Sequence, residues 1–214
     1  MKTDIKIAVI GGTGKSGQYV VRQLIKFGYR FNMLVRNPEH LTLDNPLANV
    51  VVGNVADPAS IDRLFEGCNA AISTLGLGIP PSAQDIFITA AHNVIAAMKK
   101  HGINRYVVTT GLNVNAPGDK KSPETQMATD WMYANYPEST KAKQQEFEVL
   151  LQSNLDWTMV RLPLIALTDD QPEIRIALHD CPGDGISATS LAHFLVGQLD
   201  DRQYLKAAPF IADK

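Results

Sequence analysis

The chain has 214 residues, of which 45% are hydrophobic and 20% are charged, and its formal net charge is −2. This balance suits a globular protein with a sizeable core and argues against a basic surface that would bind nucleic acid. The two cysteines, Cys68 and Cys181, lack the spacing of a zinc site or a disulfide framework, so no metal site is expected.

The first half of the chain alternates short apolar runs with amphipathic stretches. Residues 5–10 are predicted to form a strand, which leads through a glycine-rich turn into a helix. A second strand is predicted over residues 31–36 and a third over residues 50–53. Asp57 and Pro58 then indicate the start of a second helix, because Asp caps a helix N-terminus and Pro fits its first turn.

The second half continues this alternation. A fourth strand over residues 70–74 precedes a long helix over residues 86–100, and a fifth strand follows at residues 105–110. A helix over residues 140–153 then precedes a sixth strand at residues 157–161. Continuous apolar strands separated by helices are typical of a parallel sheet that is covered on both faces.

These elements predict an α/β fold of the Rossmann type, a doubly wound parallel sheet with helices on both faces. Residues 1–214 are expected to form a single domain with a small C-terminal substrate-side region. Two segments interrupt the alternation, an irregular one over residues 113–137 and another over residues 163–190. Both follow strands at the carboxyl edge of the sheet, where ligands bind in this architecture, so we interpret them as substrate-side segments.

The C-terminal part of the chain carries three further predicted elements. A short strand is predicted over residues 174–178 and a last strand near residues 209–211. Between them a helix is predicted, with Ser187 as its capping residue.

The glycine-rich turn after the first strand is the strongest functional motif. Gly11 allows a tight turn, Gly14 lets the backbone approach a pyrophosphate, and Gly17 lets helix and strand pack closely. The helix that follows favours an anion at its N-terminus. The motif therefore predicts a dinucleotide site. The turn residues assigned to it are Gly11, Thr13, Gly14, Lys15, Ser16 and Gly17.

The end of the second strand distinguishes between the two nicotinamide cofactors. NAD sites place an acid there to bind the ribose 2′-hydroxyl, whereas NADP sites often place an Arg nearby. Here Arg36 ends the strand and no acid follows before Glu39. Arg36 is expected to clamp a 2′-phosphate, with Lys15 as a second cation, although either side chain could instead be solvated. We therefore expect NADP(H), with NAD(H) as the second choice.

Five segments carry a resemblance to a known family. They are GGTGxxG at residues 11–17, VRNP at 35–38, GNVAD at 53–57, STLG at 73–76 and SNLDWTMVR at 153–161. Together they resemble an atypical short-chain dehydrogenase/reductase, in particular the NAD(P)H-binding, NmrA-like and flavin or biliverdin-reductase-like branch. This resemblance implies further cofactor-binding positions from the adenine to the nicotinamide. They are Asn54, Val55, Thr74, Leu75, Gly76, Thr109 and Pro163.

The catalytic positions depart from the family pattern. Catalytic members carry Tyr-x-x-x-Lys, and the resemblance places the Lys at Lys143, where it would hold the cofactor ribose. The Tyr position is then occupied by Ser139. Thr110, Lys143 and Ser139 are the catalytic candidates. Alternatively, Lys143 is an exposed helical lysine, and Thr110 only satisfies the turn at Gly111.

The substrate-side segments are rich in soft and aromatic side chains, among them Met127 and Tyr136. Such a surface would suit a planar apolar substrate, or it would simply pack a lid or a dimer contact. Asn113 would orient the substrate or cap its own turn. An apolar loop over residues 76–81 is expected to form another wall. The substrate-binding candidates are Leu77, Asn113, Trp131 and Leu164.

Three functions are compatible with these features. The first is an NADPH-dependent reductase of a small planar acceptor such as a flavin or quinone, whose proton could come from solvent. The second is a non-catalytic NADP(H)-sensing regulator, which the missing Tyr favours. A sugar-nucleotide epimerase ranks last.

The protein is expected to be a monomer or a homodimer. The chain start has no signal-peptide pattern and no apolar run reaches about 18 residues, so we expect a cytoplasmic protein without a membrane partner.

Overall fold

The computed structural model describes residues 4–78 and 81–214, except for the side chain of His40. Ten strands are found among these residues. They are β1 Lys6–Ile10, β2 Arg30–Val35, β3 Ala48–Val52, β4 Ala70–Ser73, β5 Arg105–Gly111, β6 Asp156–Leu162, β7 Leu164–Ala166, β8 Ile174–Ala177, β9 Gly185–Ser187 and β10 Phe210–Asp213. Six α-helices are described with them. They are α1 Gly17–Phe27, α2 Pro58–Phe65, α3 Ile86–Lys100, α4 Pro123–Asn135, α5 Pro137–Leu151 and α6 Ala188–Gly197.

Eight of the strands form one sheet in the order β3-β2-β1-β4-β5-β6-β10-β8. Its strands pair in parallel except β8, which runs antiparallel to β10. The chain moves outward from β1 to β3 and then returns to β4 on the other side of β1. This reversal opens a crevice at the carboxyl ends of β1 and β4, where open α/β sheets bind ligands. The predicted doubly wound Rossmann-type fold is confirmed.

Helices cover both faces of the sheet. Side chains of β1 alternate between the two cores, with Ala8 and Ile10 on one face and Ile7 and Val9 on the other. The helices α2, α3 and α5 pack on the first face, and α1 and α6 pack on the second. Each fully buried aliphatic or aromatic side chain stabilises the fold by about 1.5–3 kcal/mol. The helical residues in these cores include Ile61, Leu64, Val94, Phe147 and Leu150 on the first face and Val20, Leu24, Leu191 and Leu195 on the second.

Two predicted helix caps are confirmed. The Asp57 carboxylate accepts hydrogen bonds from the amides of Ala59 and Ser60 at the start of α2. These bonds satisfy amides that have no partner within the helix. A hydrogen bond from the Ser60 hydroxyl, together with the amide bonds, lowers the pKa of Asp57. Ser187 caps α6 by accepting from two amides of its first turn. Both helices therefore begin where the local sequence predicts.

The expectation that residues 113–137 are irregular is wrong. They contain α4, whose N-terminus is capped by Ser122 through a hydrogen bond from the Thr125 amide. Pro123 occupies the first helical turn, where its missing N–H costs nothing. A second proline, Pro137, likewise begins α5 three residues earlier than expected. In both cases a proline begins a helix.

A buried arginine ties the two substrate-side segments to the sheet. Arg161 is fully buried on β6, and its Nη1 contacts both carboxylate oxygens of Asp119 at 2.7 and 2.8 Å. Its Nε donates to the Ala208 carbonyl and its Nη2 to the Leu178 carbonyl. The short strands β7 and β9, which the sequence did not predict, pair in parallel beside this region.

Among the described helices, none is both long and apolar enough to cross a membrane.

Candidate functional site

A cleft of about 660 Å³ lies at the carboxyl ends of β1, β2, β3 and β4. It includes most of the glycine turn and the first residues after each of these strands. The structure thus brings together residues that are up to 72 positions apart in the chain, since both Ile10 and Ser82 line the cleft. The predicted residues that line the cleft are Gly11, Thr13, Gly14, Lys15, Ser16, Arg36, Asn54, Val55, Thr74, Leu75, Gly76 and Leu77.

The glycines of the turn are required by close backbone contacts. Gly11 has φ +79°, and a Cβ there would lie 2.6 Å from the Thr74 carbonyl oxygen. A Cβ on Gly17 would overlap the Gly11 carbonyl, so Gly17 packs under the turn and does not line the cleft. The Gly14 amide closes the turn by donating to the Gly11 carbonyl at 2.9 Å. Side chains are excluded here because the backbone itself forms the wall.

The end of β4 is joined directly to the turn. Thr74 donates through its amide to the Ile10 carbonyl at 3.0 Å and through Oγ1 to the Gly11 carbonyl at 3.3 Å. On the other side of the turn α1 begins at Gly17. Within the described part of the chain, Ser16 makes no side-chain capping bond to this helix. Because α1 begins directly after Ser16, which lines the cleft, the positive end of the α1 dipole lies at the cleft and favours an anion there.

The charge of the cleft is positive. Lys15 and Arg36 carry the charges among its described lining residues, and none of those residues is acidic. Arg36 Nη1 donates to Ser82 Oγ at 2.9 Å. Glu39, the first acid after β2, is exposed on a short 3-10 helix (Pro38–His40) and does not line the cleft.

Several cleft residues were not found by the sequence analysis. Gly78 and Ser82 belong to the loop after β4, and no local motif marks them. The same loop was predicted to wall a substrate pocket, but Leu77 lies in the cleft with the glycine turn. Ile79 and Pro80 of that loop lie outside the described residues. The remaining lining residues that sequence reasoning missed are Ile10, Leu34, Asn37 and Gly53.

Thr109 and Thr110 lie near the end of β5 and outside the cleft. Thr109 Oγ1 donates to the Ser73 carbonyl at 3.4 Å. Thr110 is buried, and its Oγ1 has no hydrogen-bond partner among the described residues. A buried hydroxyl without a partner costs about 1–3 kcal/mol. The Thr110 side chain therefore makes no hydrogen bond to the turn at Gly111.

Lys143 points inward from α5 towards the end of β5. Its ammonium donates to the Thr109 carbonyl at 3.3 Å and to Glu146 Oε2 at 2.8 Å. The same ammonium lies 4.1 Å from the ring centroid of Phe87. The Lys143 side chain is 13% exposed and that of Glu146 only 1%, so Lys143 is not an exposed helical lysine.

Glu146 was missed by the sequence analysis. Burial raises the pKa of the Glu146 carboxyl above its ordinary value, and the neighbouring Lys143 opposes this effect only in part. The signal that could have found this residue is the helical spacing, because an acid three positions after a lysine shares its face.

Ser139, at the position of the family tyrosine, lies one helical turn before Lys143. Its hydroxyl donates to the Tyr136 carbonyl at 3.3 Å. Tyr136 is exposed and makes an edge-to-face contact with Trp131, with ring centroids 5.7 Å apart. Neither Ser139 nor Lys143 lines the cleft, so these two catalytic candidates lie outside it.

The substrate-side candidates do not meet in one enclosed pocket. Asn113 is buried, and its side-chain oxygen lies close to Gly111. Pro163 is buried at the end of β6. Trp131 is 54% exposed and Leu164 is 82% exposed, so both contribute to the open surface.

A search of residues 4–78 and 81–214 finds no group of three or more His, Cys, Asp or Glu side chains that could hold a metal ion.

A family model described as NAD(P)H-binding matches residues 11–202, which is most of the chain. The chain belongs to this NAD(P)H-binding family. The match includes the glycine turn and the ends of β2, β3 and β4, so the cleft lies almost entirely within the family region. The resemblance predicted from the sequence is confirmed at the level of the family.

This NAD(P)H-binding protein is similar to several curated proteins. It is 36% identical over 80 residues to a ceramide reductase of Caulobacter vibrioides, covering 36% of this chain and 25% of that protein. It is 27% identical over 163 residues to the photosystem II assembly factor Ycf39 of Synechocystis sp., covering 74% of this chain and 44% of that protein. These matches therefore span less than half the length of the two relatives.

Solved structures share the fold of this NAD(P)H-binding chain. A short-chain dehydrogenase/reductase from Veillonella parvula, in complex with NADP, has a TM-score of 0.80 at 14% identity and covers 98% of this chain and 94% of its own. ChuY of Escherichia coli O157:H7, described as an anaerobillin reductase, has a TM-score of 0.80 at 17% identity and covers 97% of both chains. At these identities the similarity establishes the common architecture.

Proposed function

We propose that this protein is an NADPH-dependent reductase of a planar, largely apolar acceptor such as a flavin or quinone. The observation that carries the cofactor assignment is the charge of the cleft, where Lys15 and Arg36 lie without an acid among the described lining residues. A carboxylate at the end of β2 would favour the free ribose hydroxyls of NADH, whereas an arginine favours a 2′-phosphate. The cleft therefore suits NADP(H) better than NAD(H).

The residues present also fit the rest of the cofactor. The glycine turn and the start of α1 would hold the pyrophosphate, and Asn54 and Val55 would contact the adenine. Thr74, Leu75 and Gly76 would pass beneath the nicotinamide half. When bound, the reduced nicotinamide supplies a hydride. The chain then has to orient the acceptor and exclude water.

The arrangement at the end of β5 supports an acceptor that needs no dedicated protein acid. The Thr110 hydroxyl lacks a partner and would donate to an acceptor carbonyl or to the nicotinamide amide. Ser139 replaces the usual tyrosine, and its hydroxyl is engaged with the Tyr136 carbonyl. A ketone that becomes an alkoxide requires a placed proton donor, whereas a reduced flavin or quinone can take its proton from water. Exposed Met127, Trp131 and Leu164 offer an apolar surface on the substrate side.

Two of the similar proteins are described as reductases, a ceramide reductase and an anaerobillin reductase, which is compatible with this function.

The second candidate function is a non-catalytic NADP(H) sensor. The inward ion pair of Lys143 with Glu146 favours this alternative, because the lysine that would hold the ribose already has partners. A sensor would require different affinities for a partner in its two cofactor states.

Steady-state oxidation of NADPH with a panel of flavins and quinones distinguishes the two functions. A reductase is expected to turn over with at least one acceptor and to prefer NADPH to NADH. Tight NADPH binding without turnover across the panel would reject the reductase and favour the sensor. Arg36→Asp should weaken NADPH binding much more than NADH binding, and an equal loss for both would reject the NADP(H) assignment.

A further inference from the structure

The loop after β4 contacts Arg36 from across the cleft. Ser82 Oγ accepts a hydrogen bond from Arg36 Nη1 at 2.9 Å, although the two residues are 46 positions apart. Both residues line the same cleft. Ser82 is half-buried there, so its hydroxyl belongs to the wall that a bound nucleotide would meet.

Two described residues of this loop, Gly78 and Ser82, lie close to the guanidinium. The Ser82 amide donates to the Leu77 carbonyl at 2.7 Å, which closes the loop. Gly78 has φ +78°, and a Cβ there would lie 3.1 Å from Arg36 Nη2. A side chain at residue 78 would therefore strain the backbone and press against the guanidinium.

We propose that Ser82 is a specificity-determining residue for the 2′-phosphate, and that Gly78 allows the loop to approach Arg36. This inference rests on the proposed preference for NADP(H). Ser82 holds one side of the guanidinium, which fixes the direction of its other N–H groups. A guanidinium has five N–H donors, so it can hold the serine and a phosphate together.

The hydroxyl of Ser82 has a second role in this arrangement. A hydroxyl that accepts from Arg36 still has its own proton to donate, and a phosphate oxygen is an acceptor. Ser82 and Arg36 thus present adjacent donors to the same anion, and the site is organised before the nucleotide arrives. NADH lacks the 2′-phosphate, so the contribution of Ser82 is confined to NADPH.

The test compares Ser82→Ala, Ser82→Thr, Arg36→Ala and the wild type by isothermal titration with NADPH, NADH and 2′,5′-ADP. Ser82→Ala is expected to weaken NADPH and 2′,5′-ADP about five- to tenfold, the usual worth of one hydrogen bond, and to leave NADH unchanged. Ser82→Thr keeps the hydroxyl and should retain the selectivity for NADPH. Gln84→Ala is the matched control, since Gln84 is exposed on the same segment and does not line the cleft.

The outcomes separate this inference from the proposed function. Arg36→Ala should weaken NADPH roughly 10- to 100-fold and NADH little. If Arg36→Ala shows this selectivity but Ser82→Ala changes nothing, or weakens NADH equally, the role of Ser82 is rejected and the NADP(H) assignment stands. If the wild type does not prefer NADPH and Arg36→Ala is unselective, the NADP(H) assignment is rejected together with this inference.

Discussion

Lys143 Nζ lies 2.8 Å from Glu146 Oε2, and the pair is almost completely removed from solvent. Both side chains come from one face of α5. The lysine also reaches the Thr109 carbonyl and the Phe87 ring, so the pair joins α5, α3 and the end of β5. A buried charge of this kind is tolerated only while its partner is present.

Removing the acid of this pair should strongly destabilise the fold. Glu146→Leu leaves the Lys143 ammonium buried without a counter-charge, and the expected loss is about 3–5 kcal/mol in the free energy of unfolding. Chemical denaturation measures this loss. The exposed pair Lys141–Glu138 supplies the control, because Glu138→Ala should cost no more than about 1 kcal/mol. Equal losses at the two sites would show that Glu146 does not compensate a buried charge.

The unpartnered hydroxyl of Thr110 predicts opposite effects on stability and turnover. Thr110→Val removes a buried donor that lacks a partner, so stability should be unchanged or rise by about 1 kcal/mol. In contrast, kcat/KM for NADPH oxidation should fall about tenfold if the hydroxyl serves the ligand.

Thr109→Val is the matched comparison for this experiment. It removes a hydroxyl that donates to the Ser73 carbonyl, so it should lose about 0.5–1.5 kcal/mol of stability. Denaturation curves and steady-state rates are measured for both variants. A destabilised Thr110→Val protein with normal turnover would mean that the Thr110 hydroxyl has a structural role only.

A methyl group at Gly17 should damage the phosphate-binding turn. Its Cβ would overlap the Gly11 carbonyl, and the turn would have to move away from α1. Gly17→Ala is expected to cost about 1–3 kcal/mol of stability and to weaken NADPH binding at least about tenfold. At Gly197, in the last turn of α6, an added Cβ meets nothing within 4 Å. Gly197→Ala should therefore be neutral or stabilising by up to about 1 kcal/mol, and NADPH affinity should stay normal.

A half-buried lysine predicts a specific pH dependence. Lys121 donates to Asn115 Oδ1 and Thr129 Oγ1, and burial lowers its pKa from 10.5 to about 8, against the opposing effect of Asp119. Between about pH 8 and 10.5 the unfolded chain keeps this proton while the folded chain has released it. The unfolded state then binds more protons, so the Lys121 contribution to stability rises with pH over this window.

The variant Lys121→Met isolates this contribution. The free energy of unfolding of the wild type minus that of Lys121→Met should increase from pH 8 to pH 10, as measured by urea denaturation at several pH values. Lys120→Met, at the exposed neighbouring position, is the matched control for the loss of a lysine side chain. A difference for Lys121→Met that stays constant from pH 8 to pH 10 would contradict the lowered pKa.

Local sequence was sufficient for the elements whose signals are short. The Gly11 turn, the Asp57 cap and the Ser187 cap each depend on residues within a few positions of one another, and the structure places all three where they were predicted. The hydrogen bonds of these three features are local, because a cap or a tight turn satisfies backbone groups of its immediate neighbours, whereas the close approach of Thr74 to Gly11 depends on the sheet. The same reasoning failed over residues 113–137, where Pro123 begins a helix, since a proline disrupts a helix in its interior but fits its first turn.

The sequence by itself determined the parallel α/β architecture, the glycine turn and the presence of Arg36 in place of an acid. Only the tertiary structure decided what these residues meet. The order of the strands brings Ser82 to Arg36, and the packing of α5 on the sheet brings Lys143 to the Thr109 carbonyl. These partners are 46 and 34 positions apart, and no periodicity or turn signal extends over such distances. Sheet topology and helix packing create these contacts, so the sequence could indicate Arg36 and Lys143 but not the residues that they meet.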